Sequence, residues 1–126
     1  MSNRATQGET PMTDSCLFCK IVSGEIPGTI VFRDDQATAF RDINPAGPTH
    51  ILIVPNRHIE SVNVLESGDE PLMGHLFSVA GQLAKSEGID QSGYRLIINT
   101  GADGGQTVFH IHVHLIGGQR MTHPMG

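Results

Sequence analysis

The stretch Val108-Phe-His-Ile-His-Val-His-Leu-Ile116 alternates histidine with apolar residues, and this alternation decides the fold. A period of two is that of a β-strand, in which successive side chains face opposite sides of the sheet. The pattern therefore predicts a strand over residues 108–116 that turns His110, His112 and His114 to one face. The intervening apolar side chains are expected to enter the core.

Three imidazoles on one strand face favour phosphate chemistry. Alternate Cα atoms of a strand lie about 6.5–7 Å apart, which lets neighbouring rings act on one small group. Histidine has a reference pKa of about 6.5, so a neutral ring can attack phosphorus while a charged ring binds an oxygen or protonates a leaving group. His112 is central and is the predicted nucleophile, with His114 and His110 orienting it, binding phosphate or relaying protons. A purely structural polar face and a three-histidine Zn²⁺ site are the alternatives.

A glycine-rich turn precedes the histidine strand and is a candidate phosphate cradle. Residues 101–105 read Gly-Ala-Asp-Gly-Gly, and glycine allows backbone N–H groups to turn toward an anion. The expected donors are the amides of Gly104 and Gly105, joined by the amides of Gln106 and Thr107 and the Thr107 hydroxyl. Asn99 ends the preceding predicted strand and could donate a further hydrogen bond. A Gly-Gly pair by itself usually marks only a turn.

The remaining chain predicts one α+β domain with an antiparallel sheet, one long helix and a short N-terminal helix. The long helix is expected over 71–87, where an apolar stripe recurs at helical spacing. The short helix is expected over 16–23, capped by Asp14 or Ser15 and ended by Gly24. Further strands are expected at 29–32, 37–41, 49–54 and 94–99.

Composition limits the function classes. A chain of 126 residues with 38% hydrophobic residues suits one globular domain. Proteins that bind nucleic acids or anionic membranes nonspecifically usually carry a net positive charge or a basic patch. This chain has a formal charge of −5, so neither partner is expected. The sequence has no apolar run long enough to span a membrane and no secretory signal in residues 1–13. We expect 1–13 to be a flexible tail, 14–126 to be the domain, and the protein to be cytoplasmic.

Cys16 and Cys19 form a Cys-Leu-Phe-Cys motif. Two cysteines this close make a poor structural disulfide, which together with the missing export signal favours a reduced thiol pair. Three residues apart on a helix they face the same way, and two further ligands would complete a tetrahedral Zn²⁺ site. Metal-free thiols near the core are the main alternative. A thioredoxin-like redox pair is a weaker one, because the flanking residues do not match that pattern.

Residues 104–116, Gly-Gly-Gln-Thr-Val-Phe-His-Ile-His-Val-His-Leu-Ile, resemble the signature of the histidine triad (HIT) family, His-φ-His-φ-His-φ-φ with φ apolar. Segments such as Ala39-Phe-Arg-Asp-Ile-Asn-Pro45 and Gly47-Pro-Thr-His-Ile-Leu-Ile-Val-Pro55 resemble its Hint branch, the nucleoside phosphoramidases. The likeness extends over residues 15–126. It implies a HIT-like fold and a homodimer whose two sheets join into one, with two sites for purine nucleoside monophosphates or their phosphoramidates.

The resemblance also implies a role for each site residue. His112 would form a nucleotidyl-histidine intermediate, His50 would support the site, and Asp42 would bind the ribose hydroxyls. The α-phosphate would be contacted by His114, Asn99, Gly105 and Thr107. The apolar base slot would be formed by Leu17, Phe18, Ile21, Phe40, Ile43 and Leu52.

A structural zinc is implied by the same resemblance. In HIT members that keep the Cys-x-x-Cys motif, the two further ligands resemble His58 and His110. His110 would then be a metal ligand rather than an acid or base, and it would tie the N-terminal helix to the histidine strand. The chemistry itself would require no cofactor.

Differences from the family pattern bear on the reaction. The triad ends in His114, where nucleotidyl transferases of the superfamily carry glutamine, so hydrolysis is favoured over transfer. Thr107 stands where many Hint proteins have serine, and His123 replaces a tryptophan of animal members. Besides the phosphoramidase, a nucleotide-binding sensor or scaffold with incidental catalysis, a dinucleoside polyphosphate hydrolase and a metallohydrolase built on the histidine strand remain alternatives. His75, on the long helix, is expected to be structural.

Overall fold

The computed structural model describes residues 15–124, which form a five-stranded antiparallel sheet with a helix on each face. The elements in chain order are α1 (Leu17–Ser23), β1 (Ile30–Arg33), β2 (Ala37–Arg41), β3 (Thr49–Pro55), α2 (Glu70–Ser86), β4 (Tyr94–Ile97) and β5 (Val113–Gly117). Two short 3₁₀ turns, Val62–Val64 and Ser67–Asp69, precede α2. The expected tail, 1–13, lies outside the described residues, and no described helix has the length and apolar character needed to cross a membrane.

The strand order is β1-β2-β3-β5-β4, which places β3 and β5 side by side inside the sheet. Their register pairs Leu52 with His114 and His50 with Ile116. Cross-strand partners share a face, and diagonal neighbours two residues away remain within reach of long side chains. The sheet therefore brings His50 of β3 next to His114 of β5.

The two faces of the sheet carry different cores. Helix α2 packs its apolar stripe against one face, with Ile51 and Ile53 of β3 and Val113 and Leu115 of β5 beneath it. Helix α1 covers the opposite face, where the core contains apolar and thiol side chains. The residues of this second core are Cys16, Phe18, Cys19, Ile21, Phe40, Leu52 and Val54.

The last strand is shorter than the alternation predicts. Ladder pairing with β3 ends at Ile53 and Val113, so residues 108–112 are not in a strand and the expected strand over 108–116 is wrong at its start. The reason lies in the partner strand, which ends in Pro55, a residue without an N–H to donate. The backbone N–H of Ile111 donates instead to Ile59 O at 2.6 Å. Side-chain alternation nevertheless continues, because Ile111 is as buried as Val113.

The N-terminal cap of α1 also differs from expectation. Cys16 occupies the cap position, and its Sγ accepts a hydrogen bond from the backbone N–H of Cys19 at 3.3 Å. Asp14 lies outside the described residues, and Ser15 precedes the cap. The helix ends at Gly24, which adopts the expected left-handed conformation with φ +84°. Strand β2 over 37–41 and the long helix agree with the predicted positions, the helix starting and ending one residue earlier.

Candidate active site

Three histidines meet on the α1 face of the sheet. The rings of His112 and His114 have centroids 4.8 Å apart, and those of His50 and His114 are 5.2 Å apart. Phe18 of α1 places its ring edge-on to His112 with centroids at 5.0 Å. His112, although it precedes β5, therefore faces the same side as His114, as the alternation predicts.

The hydrogen bond of His112 determines which of its nitrogens can react. Nδ1 lies 2.7 Å from the backbone oxygen of His110. A carbonyl oxygen only accepts, so Nδ1 must carry the proton and donate. In the neutral ring Nε2 then holds the lone pair. His112 is thus prepared as an Nε2 nucleophile.

A second set of hydrogen bonds orients His114 through His50. The backbone N–H of Ala46 donates to Nδ1 of His50 at 3.0 Å, so the proton of neutral His50 lies on Nε2. That Nε2 is 2.9 Å from Nδ1 of His114 and donates to it. The remaining N–H of His114 is therefore on Nε2. This chain of donors makes His114 an N–H donor beside the nucleophile.

Burial keeps these rings neutral near pH 7. Desolvation lowers the pKa of His114 to about 4, with the neighbouring His112 and His50 adding to the effect. Desolvation also lowers the pKa of His112 and of His50, against the attraction of the Asp42 carboxylate. Asp42 Oδ2 is 3.4 Å from Nε2 of His50. A neutral His112 is the form in which an imidazole attacks phosphorus.

Asp42, His50 and His114 place potential ligand atoms within 4.8 Å of one another, which raises the question of a metal ion. The hydrogen bonds answer it for His50, since its Nδ1 accepts from Ala46 and its Nε2 is protonated. A metal ligand needs a lone pair directed at the ion. This group therefore fits a hydrogen-bonded relay rather than a metal site, which argues against the metallohydrolase alternative.

The glycine turn is held by its own backbone. The N–H of Gly105 donates to Ala102 O at 3.0 Å and that of Gln106 to Gly101 O at 3.0 Å. Both amides were expected to face an anion, so this part of the prediction is wrong for the turn as folded. Gly104 is required by close packing, because a Cβ there would lie 2.5 Å from Thr100 O.

Gln106 braces the turn instead of facing the site. Its side chain is 5% exposed, its Oε1 accepts from Gly101 N–H at 2.9 Å, and its Nε2 donates to Glu60 O at 2.8 Å and Val108 O at 3.2 Å. The expected phosphate contact through Gln106 is therefore wrong. Thr107 is exposed and Asn99 is half-buried, so both have surface from which to donate.

The six residues expected to form the base slot fall into a buried group and an exposed group. Phe18, Ile21, Phe40 and Leu52 are all buried together in the core under α1, with the rings of Phe18 and Phe40 edge to face at 5.3 Å. Ile43, by contrast, is 90% exposed and Leu17 is 43% exposed. Four of the six residues therefore form the floor, whereas the other two present apolar surface to solvent.

A separate cluster joins the two cysteines to two histidines. Cys16 Sγ lies 3.4 Å from Nδ1 of His110, while Cys19 Sγ lies 3.3 Å from Nδ1 of His58 and 3.5 Å from Nδ1 of His110. All four ligand atoms are within 4.8 Å of one another. The structure thus brings together the two cysteines and the two histidines that the family resemblance implies as metal ligands.

His110 belongs to this cluster and not to the catalytic group. Its Nε2 donates to Pro55 O at 2.8 Å, which leaves the lone pair of Nδ1 directed at the sulfur atoms. The ring is completely buried, and desolvation lowers its pKa to about 4. The expectation that His110 acts as an acid, base or phosphate ligand is therefore wrong. Its contribution to the site is its backbone oxygen, which holds His112.

The distances fit a tetrahedral ion. Zn–S of about 2.3 Å and Zn–N of about 2.0–2.1 Å place the sulfur and nitrogen ligands of a tetrahedral Zn²⁺ about 3.5 Å apart. The sulfur–nitrogen distances of 3.3–3.5 Å match this value. Cysteine and histidine are also the ligands that such an ion prefers.

Some functional groups left no signal in the sequence. The Ala46 N–H, the His110 carbonyl and the Pro55 carbonyl belong to the backbone, which every residue carries, so no side-chain pattern reveals them. His75 is structural as expected: its Nε2 lies 2.6 Å from Asp34 Oδ2 and joins α2 to the turn after β1.

The chain is similar in sequence and in structure to known histidine triad proteins. A purine nucleoside phosphoramidase of Escherichia coli (strain K12) is 51% identical over 108 residues, which are 86% of this chain and 91% of that protein. Adenylylsulfatase HINT1 of Arabidopsis thaliana is 44% identical over 97% of this chain and 84% of its own length. The crystal structure of a HIT family hydrolase from Legionella pneumophila Philadelphia 1 has a TM-score of 0.86 at 50% identity, covering 89% of this chain and all of that one. The HIT domain matches residues 23–121, and the chain therefore belongs to the histidine triad (HIT) family.

Proposed function

We propose that this chain hydrolyses the P–N bond of purine nucleoside 5′-phosphoramidates through a nucleotide covalently bound to His112. The observation that carries the proposal is the 2.7 Å hydrogen bond from Nδ1 of His112 to His110 O, which leaves Nε2 free to attack. The similarity to a relative named purine nucleoside phosphoramidase supports the choice of substrate.

The first step forms a bond from His112 Nε2 to phosphorus and breaks the P–N bond. The leaving nitrogen accepts a hydrogen bond from Nε2–H of His114, takes a proton from solvent and departs as an amine. The ring of His112 gains positive charge, which its Nδ1–H shares with the carbonyl of His110 through a stronger, charge-assisted hydrogen bond. Both residues thus stabilise charge that develops during the reaction.

Water completes the cycle. It attacks phosphorus, one of its protons leaves to solvent, and the bond from phosphorus to His112 breaks. The nucleoside monophosphate leaves and His112 regains its neutral starting state. The relay from Ala46 through His50 keeps His114 in the tautomer whose Nε2–H donates in both steps. No cofactor takes part in either step.

Substrate binding uses the surroundings of the triad. We assign Asn99, Thr107 and His114 to the α-phosphate, and Asp42 to the ribose hydroxyls. One oxygen of Asp42 already accepts from the Asn44 N–H at 2.8 Å, which fixes the carboxylate in place. The purine would lie in an apolar slot with Leu17 and Ile43 at its open side and the buried core beneath. The floor consists of Phe18, Ile21, Phe40 and Leu52.

A second leaving group is compatible with the same site. The Arabidopsis relative is named adenylylsulfatase, and displacement of sulfate from phosphorus by His112 would follow the same first step. Sulfate is a weakly basic leaving group that needs no proton, so its departure depends less on the hydrogen bond from His114. Comparing the two substrates therefore separates the nucleophile from the hydrogen-bond donor.

We also propose that Cys16, Cys19, His58 and His110 hold a structural zinc ion. When bound, the ion would supply cross-links between α1, the segment after β3 and the segment before β5. Elemental analysis of protein purified without added metal tests this. Near-stoichiometric zinc supports the site, whereas its absence together with two freely titrating thiols contradicts it.

The fold and the thiols support proposals for the assembly and the location. We propose a homodimer in which β4, the last strand in the sheet order, pairs with its copy; its four residues are all half-buried rather than exposed. A mass by light scattering equal to one chain would contradict the dimer. We propose a cytoplasmic location, because two neighbouring thiols suit a reducing compartment.

The direct test of the function replaces the nucleophile. His112→Ala should lower phosphoramidase turnover by at least about a thousandfold, as loss of a covalent nucleophile does, while AMP still binds. His75→Ala is the matched control, since His75 pairs with Asp34 away from the triad. Ordinary turnover by His112→Ala would contradict the assignment. Tight AMP binding with negligible turnover by the unaltered chain would favour the sensor alternative.

A further inference from the structure

The cysteine pair lies against the residue that positions the nucleophile. Cys16 Sγ and Cys19 Sγ are 3.4 Å and 3.5 Å from Nδ1 of His110. The carbonyl of the same residue accepts the hydrogen bond of His112 at 2.7 Å. His110 therefore connects the two sulfur atoms to the reacting imidazole.

His110 needs a partner on its Nδ1. Its Nε2–H donates to Pro55 O, so the lone pair is on Nδ1. The His110 side chain is completely buried, and this lone pair therefore has no access to solvent. In the reduced protein a thiol S–H can donate to that lone pair, and a bound cation would satisfy it equally. A disulfide has no S–H and is a poor metal ligand. Because a buried polar atom without a partner is unfavourable, oxidation of the pair would force His110 to move.

An oxidant has a route to one of the two sulfur atoms. A cavity of about 410 Å³ opens onto Cys16, with His58, Glu60 and Thr107 among its lining residues. Cys16 is 8% exposed, whereas Cys19 is 2% exposed. A small hydroperoxide would therefore reach Cys16 first. The sulfur of Cys19 lies within 4.8 Å of it, ready to resolve the product.

We propose that Cys16 and Cys19 form an oxidation site for hydroperoxides, and that the resulting disulfide inhibits His112 through His110. The sulfur of Cys16 attacks a peroxide oxygen, the O–O bond breaks, and an alcohol or water leaves with the thiol proton, or with a solvent proton where zinc holds the sulfur as a thiolate, giving a sulfenic acid. The sulfur of Cys19 then attacks that of Cys16, and the sulfenic hydroxyl leaves as water with the Cys19 proton. Two thiols and one hydroperoxide thus give one disulfide, one alcohol and one water.

The disulfide is independent of the enzyme's substrate, but the inhibition rests on the proposed hydrolase function. The experiment treats the purified full chain with a small molar excess of hydrogen peroxide and follows intact mass, titratable thiols and phosphoramidase turnover. We expect the loss of two hydrogen atoms, a peptide that links Cys16 to Cys19, and disappearance of both thiols. Turnover should fall about tenfold or more, because small displacements of a catalytic group cost this much. Dithiothreitol should reverse every change.

The controls separate this site from other oxidation. Methionine oxidation adds oxygen to the mass and is not reversed by dithiothreitol. Cys16→Ser and Cys19→Ser should each keep their own starting turnover under the same treatment, since neither can form the internal disulfide. If these variants do not fold, the mass and reversal measured on the unaltered chain still decide the question.

Two results would overturn the proposal. Formation of sulfinic acid or of a disulfide between chains, without the internal link, refutes the oxidation site. An internal disulfide that leaves turnover unchanged refutes the connection through His110. Failure of the proposed function would be distinguishable, because the untreated chain would then lack turnover before any oxidant was added, while the mass readout would remain.

Discussion

The two faces of the sheet differ in what they are made of. Under α2 the core cluster consists of apolar side chains, among them Ile51, Leu76, Val113 and Leu115. Under α1 the core includes two thiols and borders on the histidines of β3 and β5. Strands β3 and β5 serve both faces, because alternate side chains face opposite ways. One face is thus built for stability, and the other gives up apolar contacts to hold reactive groups.

The largest expected effect tests this division by removing one leucine from each face. Leu76 is 1% exposed and lies under α2, so Leu76→Ala should lower the free energy of unfolding by about 2–5 kcal/mol with kcat within twofold. Leu52 is 5% exposed, lies opposite His114, and Leu52→Ala should lower both stability and turnover. Chemical denaturation and kinetics at a temperature where both variants are folded give the answer. Equal losses of kcat in the two variants would contradict the division.

The pH dependence of turnover is the next effect. Burial lowers the pKa of His114 to about 4 and also lowers that of His112, so both rings are neutral at pH 7. The active form is therefore present at higher pH and is lost as pH falls through the lowered pKa values. We expect kcat/KM to be flat from pH 8 to 6 and to decline about tenfold per pH unit only nearer 4. A decline centred at pH 6.5 in fully folded protein would contradict buried neutral rings.

The smallest effect concerns one backbone hydrogen bond. Ala46→Pro removes the N–H that donates to His50, and with it the preference that fixes the tautomers of His50 and His114. Loss of one hydrogen bond is worth about 0.5–1.5 kcal/mol, so kcat should fall by up to about tenfold. Ala46→Gly keeps the N–H and is the matched control, expected within twofold of the unaltered chain. Equal effects of the two substitutions would show that the N–H is unimportant.

Much of this arrangement was predictable from the sequence, for identifiable reasons. The alternation over 108–116 and the stripe of α2 are periodic, so β5, α2 and the shared face of His112 and His114 could be foreseen. The shortened β5 could not, because it depends on the missing N–H of Pro55 in a distant strand. The role of Gln106 was predicted wrongly for a similar reason. A residue near a glycine turn can either bind an anion or stabilise the turn, and the sequence does not show which of the two roles it has.

The histidines also show which features the sequence predicts and which only the fold determines. Composition and spacing nominate His110 and His112 equally, yet His110 lies against two thiols whereas His112 lies against His114. The partners of His110 come from α1 and from Pro55, which are remote in sequence. The HIT resemblance supplied the metal role of His110, and the distances agree with it. The alternation alone would have given all three histidines the same task.

Trapping the intermediate tests the central claim most directly. The chain is mixed with a slowly hydrolysed nucleoside phosphoramidate, quenched under conditions that preserve phosphorus–nitrogen bonds, and digested for mass spectrometry. The account predicts one nucleoside monophosphate attached to Nε2 of His112 and none in the His112→Ala variant. A nucleotide attached to His114 or His50, or steady turnover with no covalent adduct at any residue, would contradict it.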